Sequence, residues 1–389
     1  MYYQLIIFFV IALIFLLITK YYLLQNQKCK ENYKQQIDYF TEETTLTSTQ
    51  KLKKKYNIEI LYLSSSDAQA LFKKSSQYLQ NMNQSNLSAR NCETLSDLYD
   101  KYMGGLQDIT DTDKVQVDTF LLTTLDTLAP HNYSLCRYLA YWLRHISFAK
   151  GQEWLESGMP HTLGNTIIMD PNWFITPRTT TLFHELIHIH QRTKFFDFED
   201  LYFLLGYFYH PKVIKGMEQY YQLNRNNPDG ASLFWLWHYP DSTIGNASQI
   251  TRENTERNLV PSKASGIIPN DTNNGDCWWI GAVFKSAVPV SVSDVNYIAL
   301  QLTRTADGTY YLLQNTPVRL DKFKQYNDYM GINNNNYHPN ETTAKYMEWY
   351  YTDAMDKHGV PEHLKYDGYK AFKKYMDDYL ATYFNSNTE

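Results

Sequence analysis

Cysteine is scarce and unpatterned: the 389 residues hold four, Cys29, Cys92, Cys136 and Cys277, with no CxxC pair. That is too sparse for a disulfide framework, although one or two bridges and the redox compartment stay open. Charge of one sign is also missing. The formal net charge is -5 and charged residues make up 20%, so no strong field points to nucleic acid. No internal repeat is apparent. The one abundance is aromatic, at 16% with 34 Tyr, which predicts a large and partly polar core. At this length two or three domains, or one large domain with insertions, are expected.

No Lys or Arg precedes the apolar run Leu5 to Ile18, and no small-residue cleavage site follows it; the next residues are Lys20-Tyr21-Tyr22-Leu23-Leu24. A cleavable signal peptide would need both. About 18 helical residues cover roughly 27 Å, close to the hydrocarbon thickness of a bilayer. The expectation is a retained single-pass anchor within residues 1–24, embedded through 5–19. Lys20, Lys28, Lys30 and Lys34 follow it, which by the positive-inside rule puts the large domain on the cytoplasmic side. N-x-S/T sequons at Asn83, Asn86, Asn132, Asn246, Asn270 and Asn340 point the other way. An Asn-rich chain makes several by chance, so the lysines carry more weight.

Residues 25–65 read as a polar, lysine-rich stalk and 66–150 as a helical region. In that region Ser66-Asp67 caps a helix running toward Met82, and Asp111 or Thr112 starts another that ends before Pro130. A third spans Tyr133 to Ala149 on the spacing of Leu135, Leu139, Trp142, Leu143 and Ile146. His161 to Met169 reads as a short strand after a turn. Phe195 to Asn224 is helical with an interruption at His210-Pro211. Short aromatic or β-branched runs at Phe234–Tyr239, Cys277–Phe284, Tyr297–Leu302 and Tyr310–Leu313 predict a β-rich insertion over about 229–322, with Asp307-Gly308 as a hairpin turn. Helix returns at Glu341–Lys357 and Pro361–Phe384.

The chemistry concentrates in Thr181 to Arg192, TLFHELIHIHQR. His184 and His188 stand four residues apart, so on a helix both rings leave one face. Both can then reach one tetrahedral zinc ion. Glu185 projects toward the open coordination position, where it takes a proton from water. Leu182, Phe183, Leu186, Ile187 and Ile189 mark a helix buried within a domain. The competing reading is a buried helix whose histidines satisfy other polar groups.

Three protein ligands are required. A third histidine six residues after His188 is ruled out, because Lys194 stands there. The remaining candidates are Glu199, Glu218, Glu253, Glu256, Glu341 and Glu348. Glu341 is preferred because Asn340 caps a helix and fixes Glu341 in its first turn; Glu218 is second. Glu341 could instead favour the helix dipole and pair with Lys345. For the oxyanion donor or an outer ligand contact, Tyr337, His338, His190 and Gln191 lie nearest in sequence.

HELIHIHQR with the later His338-Pro339-Asn340-Glu341-Thr342-Thr343-Ala344 resembles zincin metallopeptidases of the gluzincin type. Some of these carry HExxH, a glutamine shortly after it, and a downstream N-P-x-E-x-x-A-like helix start. These features fall on His184, Glu185, His188, Gln191 and Glu341; the order Pro339-Asn340 departs from Asn-Pro, and 341 − 188 = 153 residues separate the ligands. The resemblance covers roughly residues 155 to 360. It implies an α+β zincin-like fold over residues 151–389, Zn2+ as cofactor, and an edge strand before the motif helix that binds extended peptide. His161, Thr162, Asn165 and Thr166 are placed for that strand. The expected function is a membrane-anchored zinc metallopeptidase acting on peptides or proteins. The alternative is a silent zincin-fold binding or structural protein of a membrane, against which an intact Glu185 argues, since a zinc staple needs no general base.

Overall fold

The computed structural model describes residues 46–74, 78–79, 82–229, 235–240, 277–305, 307–331, 337–356 and 362–385. The expected anchor, residues 5–19, lies outside them. Among the described residues no helix is long and apolar enough to cross a membrane. The chain divides into two units, Met1–Asn57 and Ile58–Glu389. In the first, α1 (Ser48–Tyr56) opens on a capping box between Thr47 and Gln50 and ends at Asn57 in the left-handed region.

The second unit is mixed α+β. It begins with β1 (Leu61–Tyr62), α2 (Ser65–Lys74), α3 (Gln84–Ser88), α4 (Leu95–Gly105), β2 (Leu106–Gln107), α5 (Asp111–Leu128), α6 (Tyr133–Leu143) and β3 (Ser147–Gly151). Helix α5 starts where expected, with Thr110 and Asp113 exchanging capping bonds. Helix α2 is capped by Ser64, whose hydroxyl accepts the Asp67 N–H, and is described as far as Lys74; the expected run toward Met82 falls partly outside the described residues. One expectation fails here. The helix expected over Tyr133–Ala149 ends at Leu143, and its last residues belong to strand β3. Phe148 and Ala149 are fully buried, and a strand covered on both faces is a continuous apolar run that periodicity cannot tell from helix.

A tight turn, Leu155–Gly158, leads into β4 (His161–Leu163) and β5 (Thr166–Met169). Glu156, Ser157 and Gly158 are all left-handed, with φ of 47°, 59° and 72°. Two consecutive non-glycine residues in that region are strained and persist only where surroundings hold them. Here the hold is a buried ion pair, Arg90 Nη2 to Glu156 at 2.7 Å, supported by the Tyr78 and Tyr102 hydroxyls, each donating to Glu156 Oε1 at 2.5 Å. The first sheet runs β1-β3-β5-β4, with β2 also on β3. β1, β3 and β5 are parallel, and β4 is antiparallel to β5 at one edge. Strand β1 falls in the expected stalk and β3 straddles residue 150, so the sheet draws on both sides of the boundaries expected at 65 and 150.

Asp170 then caps α7 (Pro171–Ile175), and α8 (Thr179–Thr193) is the motif helix. Leu182, Phe183, Leu186, Ile187 and Ile189 are completely buried in it. After α9 (Phe195–Leu204), Gly206 at φ 86° ends the helix earlier than expected. A β-carbon there would sit 2.3 Å from the His238 carbonyl oxygen, so only glycine lets the chain turn into β6 (Tyr207–Tyr209). α10 (Glu218–Leu223) follows.

The second sheet adds β7 (Trp235–His238), β8 (Cys277–Phe284), β9 (Val295–Arg304), β10 (Tyr310–Leu312) and β11 (Val318–Arg319). Its order is β10-β9-β8-β7-β6 with β11 on β9, antiparallel throughout. Strands β7 to β11 fall among the described residues of the stretch expected to be β-rich, and the sheet recruits β6 from the preceding segment. Gly308, at φ 84°, forms the expected hairpin turn between β9 and β10. The chain closes with α11 (Lys324–Met330), α12 (Pro339–Met355) and α13 (Asp367–Tyr383). Helix α12 packs along α8, and α8 also touches β4 and β5. That arrangement brings the first turn of α12 to the motif.

Candidate metal centre

His184, His188 and Glu341 each offer one ligand atom, and the three atoms lie within 4.8 Å of one another. Among the described residues they form the cluster suited to a metal ion. His188 and Glu341 are buried, at 1% and 4% exposure, and His184 is half-buried. Glu341 stands in the first turn of α12, which opens on Pro339 and is capped by His338: its Nδ1 accepts the Asn340 N–H at 3.2 Å.

Each imidazole is held from behind. His184 Nδ1 lies 2.8 Å from Glu348 Oε1. An ionised carboxylate can only accept, so Nδ1 donates, and in the neutral ring Nε2 carries the lone pair. His188 Nδ1 lies 3.0 Å from Gln191 Oε1. The Gln191 amide is oriented from its other end, where Nε2 donates to the Asn340 carbonyl at 3.1 Å and to Thr343 Oγ1 at 2.5 Å. His188 therefore also keeps its lone pair on Nε2, and that atom is buried with no partner. A buried nitrogen lone pair left unmatched is costly, and a metal ion would satisfy it. The donor set of two imidazoles and a carboxylate fits zinc.

The charges agree with this arrangement. Burial opposes ionisation of Glu341, but the His184 hydrogen bond and the charges of His188, His184 and Arg225 outweigh it and hold its carboxyl well below the usual range. Burial also opposes the charged form of His184, yet hydrogen bonds to Glu341 and Glu348 raise its pKa. His188, lacking such strong partners, is pushed down by burial. Glu185 goes the other way: burial first, then the Asp229 charge, push it well above the carboxylate range. Its Oε2 is buried and unbonded.

The other candidates are distributed as follows. Tyr337 is at the site: its hydroxyl accepts from Arg225 Nη2 at 3.0 Å and Asn227 Nδ2 at 3.2 Å, and the same Asn227 nitrogen donates to Glu341 Oε1 at 2.5 Å. His338 serves as the cap of α12. His190 sits on another face of α8, its two nitrogens 3.1 Å from the Tyr138 and Tyr379 hydroxyls. Glu218 is exposed on α10, and Glu199 lies on α9; neither joins the cluster. Glu253 and Glu256 lie outside the described residues. On the expected substrate strand, His161 and Thr162 are buried in β4, Asn165 is exposed in the turn, and Thr166 belongs to the inner strand β5, bonded to Ser147 at 2.6 Å.

Sequence reasoning passed over the segment Arg225–Asp229. Nothing in its spacing announces that Asn227 bonds Glu341 and that Asp229 bonds Asn340. Comparison with protein-family models, curated proteins and solved structures finds no match to this chain.

Proposed function

We propose that the chain is a zinc-dependent metallopeptidase with a zincin-like core of the gluzincin type. The observation that carries this reading is the convergence of His184, His188 and Glu341, with each imidazole Nδ1 fixed so that Nε2 is free to ligate. Gln191 and the Pro339-Asn340-Glu341 helix start, far apart in sequence, meet through the Gln191–Asn340 hydrogen bond. The antiparallel edge strand β4 precedes the motif helix and touches it. The Gln191–Asn340 contact supports the gluzincin comparison; on β4 the Thr162 main-chain groups are already engaged by Asp229 and Arg192.

His184, His188 and Glu341 would hold Zn2+, which when bound supplies a Lewis acid to polarise the scissile carbonyl. Glu185 takes the proton of the attacking water at its carboxylate and hands it to the leaving amine. A raised pKa suits both halves of that task. The Tyr337 hydroxyl accepts two hydrogen bonds and so has its own proton to donate to the developing oxyanion. Residues 5–19 would anchor the enzyme in a membrane with its catalytic unit on the cytoplasmic side, a placement that rests on the sequence pattern.

The test is metal content and peptidase activity of the detergent-solubilised full chain. About one zinc per chain is expected, as a single three-ligand site requires, together with cleavage of an unstructured protein substrate. No zinc after reconstitution overturns the reading. Zinc without cleavage would leave a metal-binding scaffold.

A further inference from the structure

Beside the candidate ligands runs a five-residue strap, Arg225-Asn226-Asn227-Pro228-Asp229, whose Asn227 bonds Glu341. It is fastened at both ends. Asn226 N–H donates to Asn86 Oδ1 at 2.7 Å, and Asn227 reaches Glu341. The Asp229 carbonyl accepts from Asn340 Nδ2 at 3.2 Å, one residue before that ligand. Asp229 thus lies between the edge strand and the first turn of α12.

Its two carboxylate oxygens have different surroundings. Oδ1 accepts both the Thr162 N–H at 2.7 Å and the Thr162 hydroxyl at 2.8 Å. Oδ2 takes no hydrogen bond among the described residues, yet it is not among the atoms sealed away without a partner. The residue as a whole is 8% exposed, so Oδ2 is a nearly buried acceptor with a narrow opening. Arg192, the neighbouring cation on α8, directs its donors to Thr162 Oγ1, the Gly164 carbonyl and the Pro228 carbonyl, and makes no ion pair with Asp229 among the described residues. Through its carbonyl Asp229 is joined to Asn340, the neighbour of Glu341, and its charge acts on Glu185 and His188.

The same contacts close the edge strand. The Thr162 N–H belongs to Asp229, and its carbonyl faces Arg192 Nη2 at 3.5 Å. An extended peptide cannot add to β4 at Thr162 by main-chain pairing. What the strand offers there instead is a negative charge.

We propose that Asp229 is a specificity-determining residue of this site, its Oδ2 receiving a positively charged nitrogen of the substrate beside the scissile bond. The nitrogen is a protonated amino terminus or an arginine or lysine side chain. A purely architectural Asp229 would need only Oδ1, which asparagine also supplies. The inference rests on the metallopeptidase reading and names the substrate class for it.

Metal-directed hydroxamates test it by calorimetry on the zinc-loaded full chain. One arm compares N-acetylarginine hydroxamate with N-acetylcitrulline hydroxamate; the other compares norleucine hydroxamate with its α-hydroxy analogue. Within one arm the cationic ligand should bind about tenfold tighter, the scale of one charge-assisted hydrogen bond, and the arm that shows it identifies the source of the nitrogen. In Asp229→Asn the ratio should fall to about twofold or less, because the charge is gone while the Thr162 contact remains. Ratios near one in both arms of the wild type overturn the proposal, and they do so even where the variant fails to fold. A ratio that Asp229→Asn leaves intact overturns it as well. If no hydroxamate binds at all, the metallopeptidase reading fails and takes this inference with it.

Discussion

Glu348 stands seven residues after Glu341 on α12, and its Oε1 lies 2.8 Å from the Nδ1 of His184. Two helical turns put both carboxylates on one side of α12. Glu341 Oε2 approaches the Nε2 side of the same ring at 3.6 Å, and Lys345 holds the other Glu348 oxygen at 2.7 Å. A single helix therefore supplies both a candidate ligand and the group that orients another.

That relationship predicts that Glu348→Ala weakens zinc binding by about 10–100-fold, the usual cost of losing a ligand's orienting partner. Competition with a chromophoric chelator measures it. Unchanged affinity would mean that the ring is fixed by other contacts.

Glu185 and Glu341 should separate cleanly. Glu185→Gln should retain metal and fold while peptidase activity falls by about 10²–10⁴-fold. Glu341→Ala should cost metal affinity more than the roughly 10–100-fold expected at Glu348. If Glu341→Ala keeps full affinity, the third ligand is another group; if Glu185→Gln keeps full activity, the proton-transfer role is wrong.

Acid should loosen the turn before β4. Burial favours the neutral form of Glu156, but the Arg90 charge and hydrogen bond outweigh it, and its pKa falls from 4.5 to about 2. A carboxyl depressed in the folded state stabilises fully above its unfolded value, and that stability is lost as pH drops from about 4.5 through about 2. Glu156→Gln leaves Arg90 buried without its counter-charge and should cost about 3–5 kcal/mol near neutral pH. In urea unfolding, the gap between wild type and variant should narrow as pH falls to about 2. A gap that stays constant over that range would contradict the assignment.

The anchor makes a prediction of its own. The full chain should stay with membranes through alkaline carbonate, and a chain beginning near residue 40 should not. Modification of Asn132 in a eukaryotic host would reverse the cytoplasmic placement. Asn86 and Asn340 are poor reporters of sidedness. Asn86 is fully buried and donates to the Asn224 carbonyl at 2.8 Å, and Asn340 is bonded to Tyr202 and Asp229.

The histidine pair and Glu185 are legible in sequence because four-residue spacing on a helix is a local rule that packing does not alter. Glu341 is legible through its helix start, where Pro339 and Asn340 mark the first turn. Glu348 is visible only as one of six carboxylates, since its place behind His184 depends on how α12 lies against α8. His190 and His338 show the limit of nearness in sequence: two residues from His188, His190 faces a different wall, between two tyrosines. Strand β3 is hidden for a different reason, because burial on both faces erases alternation. The strap is hidden most completely. Its five residues carry no period, and their meaning lies in partners 67 to 140 positions away, from Thr162 to Asn86.

The distance of Glu341 from the motif bears on how the protein is made. A ribosome delivers His184, Glu185 and His188 well before α12, with the whole second sheet synthesised in the interval of 341 − 188 = 153 residues. Until then the nascent chain has two imidazoles without their carboxylate partner, and Gln191 has no Asn340 or Thr343 to orient it. For the proposed peptidase, hydrolytic competence would thus arrive late in translation. A growing polypeptide, its own or a neighbour's, would not be exposed to a protease emerging half-built.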